Sequence, residues 1–280
     1  MKTIVKISFF CWLLLVLITP LRSFAGFPIG KYRFVVVPTF SYYHQKDRFD
    51  DKDNVIKGAP GTGFTSYASN LYVGYGLSRR LDLIVTVPYL YQQNTIAPGN
   101  TLVDAGLGDM TLGFSYNLIN SNYIRFFSIG VAGIAPLYKS ENEISPLGLG
   151  SYGTEVKLMY SGALPKDVAS KGYFNTEFGY RHYYSTQGPD QISLTASVGY
   201  PVTQHDQLSL DILLFRSFSS NKTFNSNIYA AHDFFFFKPQ LNFGHQISRR
   251  LSVFAGGFFV PFGVNTGIGY GGSVLAVVKL

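Results

Sequence analysis

Residues 108–118 read "GDMTLGFSYNL". Every second residue is apolar (Met110, Leu112, Phe114, Tyr116, Leu118), and Asp109, Thr111, Gly113, Ser115 and Asn117 stand between them. Side chains along a strand point alternately to opposite faces, so this segment is a strand with one oily face and one polar face. A soluble sheet and a membrane barrel both produce such a strand. The fold is decided by which solvent the oily face meets, a protein core or lipid.

Composition narrows the choice. Of 280 residues, 46% are hydrophobic and only 14% charged, against about 25% charged in ordinary soluble domains. Phe (25) and Tyr (20) dominate the aromatics, with a single Trp. The chain is too apolar for disorder and long enough for one large β domain.

The first residues read as a secretory signal peptide. Lys2 and Lys6 form a basic start, 7–18 is an apolar run, and Ser23-Phe24-Ala25 offers small residues at the −3 and −1 positions of a cleavage before Gly26. The run is short for a membrane anchor, which needs about 20 residues. The expected organisation is therefore a signal peptide at 1–25 and one domain at 26–280. Cys11, the only cysteine, lies inside the apolar run. The mature chain then has no thiol, which excludes disulfides, thiolate catalysis and Cys-type zinc sites. Losing Lys2, Lys6 and Arg22 lowers the formal charge from +7 to +4. With no dense basic run, nucleic acid is not an expected partner.

Beyond Gly26 no apolar run approaches 18 residues, so a transmembrane helix is not available. Alternating segments recur instead, and twelve are expected as strands: 31–43, 64–77, 81–91, 107–118, 123–137, 152–162, 173–183, 191–202, 208–218, 234–246, 251–262 and 266–280. Their connections are sorted. Residues 78–80, 120–122, 166–170, 204–206 and 248–250 are short, whereas 44–63, 92–105, 139–150, 185–190 and 219–231 are longer and polar. Only 263–265 breaks the pattern. Short turns at one end and long loops at the other characterise outer-membrane barrels. The repeated "LSRRL" (77–81) and "ISRRL" (247–251) point to one hairpin design used twice.

An even strand number returns both termini to the same end, as a closed antiparallel barrel requires. In lipid every backbone N–H and C=O must be paired, so a sheet survives there only if closed. The polar faces carry charges in mid-strand: Glu155 and Lys157 on one segment, Glu177 and Arg181 on the next, and Asp82, Asp109 and Asp211 elsewhere. A dry core would make such groups costly, and a watery lumen would not. The oily face is therefore expected to meet lipid, and these seven residues are the candidate lumen lining. Tyr42, Tyr43, Tyr67, Tyr89, Tyr91, Tyr138, Tyr152, Tyr160, Tyr183 and Tyr184 cluster near strand ends, as interfacial girdles do. The run Phe234–Phe237 breaks alternation and fits one interface.

"DAGLGDMTLGFSYNL" (104–118), preceded by "LSRRLDLIVTVPYLY" (77–91), resembles a family of outer-membrane transporter-like barrels associated with the meta-cleavage pathway of phenol degradation. Gly106, Gly108, Asp109, Leu112 and Gly113 carry most of the match, which covers about a third of the chain by motif. The resemblance implies a barrel in the outer membrane and a transport role. The chain departs from the usual aromatic C-terminus of such barrels, ending "VLAVVKL" at Leu280.

Other motifs carry less. Gly148/Gly150/Gly153 and Gly267/Gly269/Gly272 match GxGxxG, but neither precedes a helical pattern, so no nucleotide cofactor is expected. The five histidines (44, 182, 205, 232, 245) lack metal-ligand spacing, and the pairs His205-Asp206 and His232-Asp233 read as solvated loop residues. No spacing selects a nucleophile and base, so the chain does not read as an enzyme. The expectation is an all-β, closed, up-and-down transmembrane barrel of about twelve strands, acting as a channel or transporter for small solutes, aromatic or apolar ones among them. The alternatives are a structural or surface-binding barrel with an occluded lumen, and a lipid-modifying barrel enzyme. Expected partners are outer-membrane lipid, the barrel insertion machinery and small solutes.

Overall fold

The two Ser-Arg-Arg-Leu sequences fold into the same turn. Ser78 Oγ accepts hydrogen bonds from the amides of Arg80 (3.1 Å) and Leu81 (3.0 Å), and the Ser78 amide donates to the Leu81 carbonyl (3.0 Å). Ser248 makes the same set with Arg250 (3.2 Å) and Leu251 (3.1 Å). Thr203 makes a third copy with His205 (3.2 Å) and Asp206 (2.9 Å). A hydroxyl that satisfies the amides of its own turn lets two strands reverse within a few residues. At 121–124, Asn122 and Tyr123 both take positive φ (54° and 56°). That is the tight hairpin geometry whose twist matches the flanking strands.

The computed structural model describes residues 28–138, 146–164, 172–185, 188–227 and 231–280; the expected signal peptide and the expected turn at 166–170 lie outside them. Fifteen strands, with no helix among the described residues, form one sheet. They are β1 (Phe34–Phe49), β2 (Val55–Ile56), β3 (Gly63–Gly76), β4 (Leu81–Ala97), β5 (Asn100–Leu107), β6 (Asp109–Ser121), β7 (Arg125–Pro136) and β8 (Gly153–Ala163). The remainder are β9 (Tyr173–Tyr183), β10 (Asp190–Pro201), β11 (Asp206–Phe218), β12 (Phe234–Gln246), β13 (Leu251–Phe259), β14 (Phe262–Val264) and β15 (Thr266–Lys279).

Twelve of these make the wall; β2, β5 and β14 extend its rim. Each wall strand pairs antiparallel with the next in the chain, and the last closes on the first: Phe40 of β1 lies opposite Val274 of β15, and Val36 opposite Val278. No wall edge is left open, which is the condition for a sheet in lipid. Turns 77–80, 122–124, 202–205 and 247–250 sit at one end, the turn end, and the described parts of the longer connections at the other, the loop end. The expected loop at 92–105 is instead a hairpin. β4 runs on to Ala97 and β5 returns against it, with Tyr91 opposite Ala105 and Thr95 opposite Thr101. Gln92, Gln93, Asn94 and Thr95 are all polar, yet their burial still alternates, Gln92 and Asn94 being buried, so the strand persists beyond its greasy part.

The outward face is greasy around the barrel. Leu112 and Phe114 are 47% and 51% exposed, whereas Gly113 and Asn117 between and beyond them point inward and are buried. Tyr42, Tyr67 and Tyr91 lie side by side across β1, β3 and β4, with centroids 5.3 and 6.1 Å apart. Toward the turn end Phe34 contacts Tyr75 at 4.5 Å, and Tyr160 contacts Phe174 at 5.2 Å. Phe34 and Tyr42 stand eight residues apart on β1, about 26 Å along the strand and about 20 Å along the axis at the usual tilt. That spacing fits two interfacial girdles around a hydrocarbon band of about 25 Å.

Three tyrosines expected in the girdles are inside instead. Tyr183 is buried, Tyr43 stacks on Phe258, and the Tyr138 hydroxyl is buried. Parity explains Tyr43 and Tyr183, which stand one residue from the outward Tyr42 and Tyr184. The Phe234–Phe237 run alternates after all. Phe234 and Phe236 turn inward to stack with Phe215 (5.7 and 5.6 Å), while Phe235 and Phe237 meet Phe262 (6.3 and 4.7 Å). Both faces of β12 are apolar there, which hides the alternation.

Candidate functional site: the barrel lumen

Inside the wall, β8 and β9 carry a charged ladder. Glu155 lies directly opposite Arg181, and Met159 opposite Glu177. Arg181 Nε donates to Glu155 Oε1 (2.5 Å), and Lys157 Nζ lies 2.9 Å from Glu177 Oε1 and 3.6 Å from Glu155 Oε2. Two acids and two bases thus alternate on one side of the lumen with no net charge. Opposite Lys157 stands Gly179, which leaves the ammonium room to lie across the neighbouring strand. A cavity of about 170 Å³ borders the ladder, lined by Lys157, Glu177, Tyr72, Thr86, Thr111 and Ser115 among others.

The other three candidate lumen residues are separate. Asp82 lies near the turn end, where its Oδ2 accepts the Ile29 amide (3.1 Å) and ties the segment before β1 into the barrel. Asp109 lies at the loop end, its Oδ2 accepting the Leu149 amide (2.8 Å). Asp211 accepts from Asn242 Nδ2 (2.5 Å) on the next strand.

The GLGD segment receives a mechanical role from this geometry. Gly106 ends the β5 return, and Asp109 holds the loop at 146–150 down into the mouth. At Gly108 a Cβ would lie 2.6 Å from the Leu147 carbonyl oxygen, so only glycine lets that loop approach. At Gly113 a Cβ would meet the Val131 carbonyl at 2.3 Å. Leu112 faces lipid.

A second loop, described at 219–227 and 231–233, also folds inward. Gln45 Nε2 donates to the Ser226 carbonyl (2.7 Å), and Ser226 Oγ to Asn94 Oδ1 (3.1 Å). Asn227 Nδ2 donates both to Gln92 Oε1 (2.8 Å) and to the Pro146 carbonyl (2.7 Å), joining the two inward loops. Asp233 is not the solvated residue expected from sequence. It is buried and pairs with Arg216 (3.2 Å) and Lys222 (2.8 Å), which fixes the root of this loop. Outside the mouth, Asp50 accepts from the Asn54 side chain and amide and from the Lys52 amide. Those bonds, Asn54's foremost, hold its carboxyl below the usual carboxylate range.

Across the lumen from the ladder the lining is aromatic. A cavity of about 190 Å³ lies between β1, β3, β12 and β13, walled by Tyr43, Phe64, Phe236 and Phe258. Lys238 enters it with Nζ 4.7 Å above the Phe258 ring. Neither Lys238 nor this cavity was legible from sequence. The only signals were a lone inward-parity lysine and the Phe run before it.

A closed barrel with two aromatic girdles, sorted loops and a charged interior is the architecture of outer-membrane β-barrels. Solved structures agree. An outer-membrane channel from Pseudomonas putida F1 superposes with a TM-score of 0.68, at 13% identity, covering 90% of this chain and 96% of that one. The NanC porin superposes with a TM-score of 0.53, at 10% identity, covering 86% of this chain and 98% of that one. No family model matches the sequence, and no curated protein matches it. The similarity therefore establishes the fold.

Proposed function

We propose that the protein is an outer-membrane channel or transporter that passes small solutes, aromatic or otherwise apolar ones among them, without catalysing a reaction. The observation that carries this reading is a closed transmembrane barrel whose lumen holds a polar, charged cavity and an aromatic one. The fold shared with channels and porins supports it, as does the resemblance of 104–118 to barrels associated with phenol degradation. The proposed lumen lining is Asp82, Asp109, Glu155, Lys157, Glu177, Arg181 and Asp211. In this reading 1–25 is removed on export, 26–280 is one domain, and the insertion machinery seats it in outer-membrane lipid.

The test is reconstitution. Purified protein in planar bilayers is expected to give discrete conductance steps, and liposomes carrying it are expected to take up phenols faster than protein-free liposomes. Silence across many reconstitutions, with no uptake of phenols, short fatty acids or sugars, contradicts an open pore. That outcome is the one expected of a barrel with an occluded lumen, a reading favoured by the two loops that Asn227 joins across the mouth.

A further inference from the structure

We propose that the aromatic cavity is a binding site for small aromatic carboxylates, with the ligand ring among Tyr43, Phe236 and Phe258 and its carboxylate on Lys238 and Gln92. This deepens the channel reading and rests on it for the ligand's route to the site.

Three observations converge. First, the walls suit an aromatic ring. Tyr43 and Phe258 are nearly parallel, with centroids 6.3 Å apart and an interplanar angle of 10°. The volume of about 190 Å³ exceeds the roughly 150 Å³ that holds benzene in an engineered protein cavity, and the surplus leaves room for a carboxylate.

Second, Lys238 supplies a cation without a counter-ion. Among the described residues, no carboxylate oxygen lies within salt-bridge distance of its Nζ. Asp211 stands one diagonal step away on β11, where Gln240 pairs with Asp211 and Lys238 with Leu213, and its Oδ2 is occupied by Asn242. The ammonium rests instead over the Phe258 ring, a weaker partner than a carboxylate.

Third, Gln92 supplies an unused donor. It is 0% exposed and borders the same cavity. Its Oε1 is fixed by Asn227, yet its Nε2 has no hydrogen-bond partner among the described residues. A buried unpaired donor is costly unless something accepts from it. An anionic oxygen accepts from both groups, and an apolar solute from neither.

The experiment is equilibrium binding of benzoate, benzyl alcohol and cyclohexanecarboxylate to detergent-solubilised protein, measured by calorimetry at pH 7. Benzoate is expected to bind tighter than the other two, one lacking the charge and the other the flat ring. Lys238→Met, which keeps cover over Phe258, is expected to weaken benzoate about tenfold or more, the loss of one charge-assisted hydrogen bond, while leaving benzyl alcohol unchanged. Lys238→Gln serves as a second variant, and the heat-dependent gel mobility of folded barrels checks both. The proposal is overturned if benzoate does not bind, if it binds no better than benzyl alcohol, or if folded Lys238 variants bind it normally. Binding in detergent needs no conduction. Benzoate bound by a protein that is silent in bilayers would sink the channel and leave the site standing.

Discussion

Removing one member of the Glu155–Arg181 pair should cost more stability than removing both would suggest by addition. At about 4 Å between charge centres and an effective dielectric near 20, the attraction is about 4 kcal/mol before desolvation. Desolvation offsets much of that. The Glu155 side chain is 5% exposed and that of Arg181 32%, so one end of the pair is dry and the other is screened by lumen water. A net value of about 1–3 kcal/mol remains. Arg181→Gln leaves Glu155 with Lys157 alone, at 3.6 Å, and is expected to cost about 1–3 kcal/mol. Glu155→Gln leaves Arg181 partly hydrated and is expected to cost less. The double variant removes both charges, so its cost should fall short of the sum by at least about 1 kcal/mol. Urea unfolding of the refolded barrel in lipid vesicles, followed by gel mobility, measures all four proteins. Single effects that add to within about 0.5 kcal/mol would refute the pairing argument.

Two further expectations follow from the lumen. The ladder is electroneutral, so Glu177→Gln should shift the zero-current potential in a KCl gradient toward anion selectivity, and Arg181→Gln toward cation selectivity; no shift from either would place the ladder off the conduction path. Replacing 220–226 by two glycines removes the Ser226 contacts to Gln45 and Asn94 and should raise single-channel conductance, whereas unchanged conductance would mean this loop does not narrow the mouth.

Much of the barrel is legible in the sequence because period-two alternation is a local property. It locates all twelve wall strands, and their parity turns Glu155, Lys157, Glu177 and Arg181 to one face. Pairing is not local. Glu155 meets Arg181 only because the β8–β9 register sets them opposite, and 26 residues separate them in the chain. Parity alone likewise leaves Asp82 and Asp109 as bare lining charges, although each is bound to a backbone amide of another segment. The aromatic cavity is hidden for a different reason. On β12 the inward residues Phe234 and Phe236 are as greasy as the outward Phe235 and Phe237, so an apolar lumen face erases the alternation that marks every polar one. The inward loops, held by Asn227 and Asp109, carry no periodicity.

The claim beneath all of this is that the outward, greasy face of the wall meets lipid and the inward face lines a watery lumen. Cys11 is the sole native cysteine, so in protein beginning at Gly26 each introduced thiol reports alone. Single cysteines along 110–116 of β6, labelled with a fluorophore and reconstituted in vesicles, can be challenged with a lipid-borne quencher and a water-soluble one. Positions 110, 112, 114 and 116 should be quenched from lipid, and 111 and 115 from water; Gly113 is left in place, because a Cβ there meets the Val131 carbonyl. Uniform quenching along the strand, or the reverse alternation, would contradict the account.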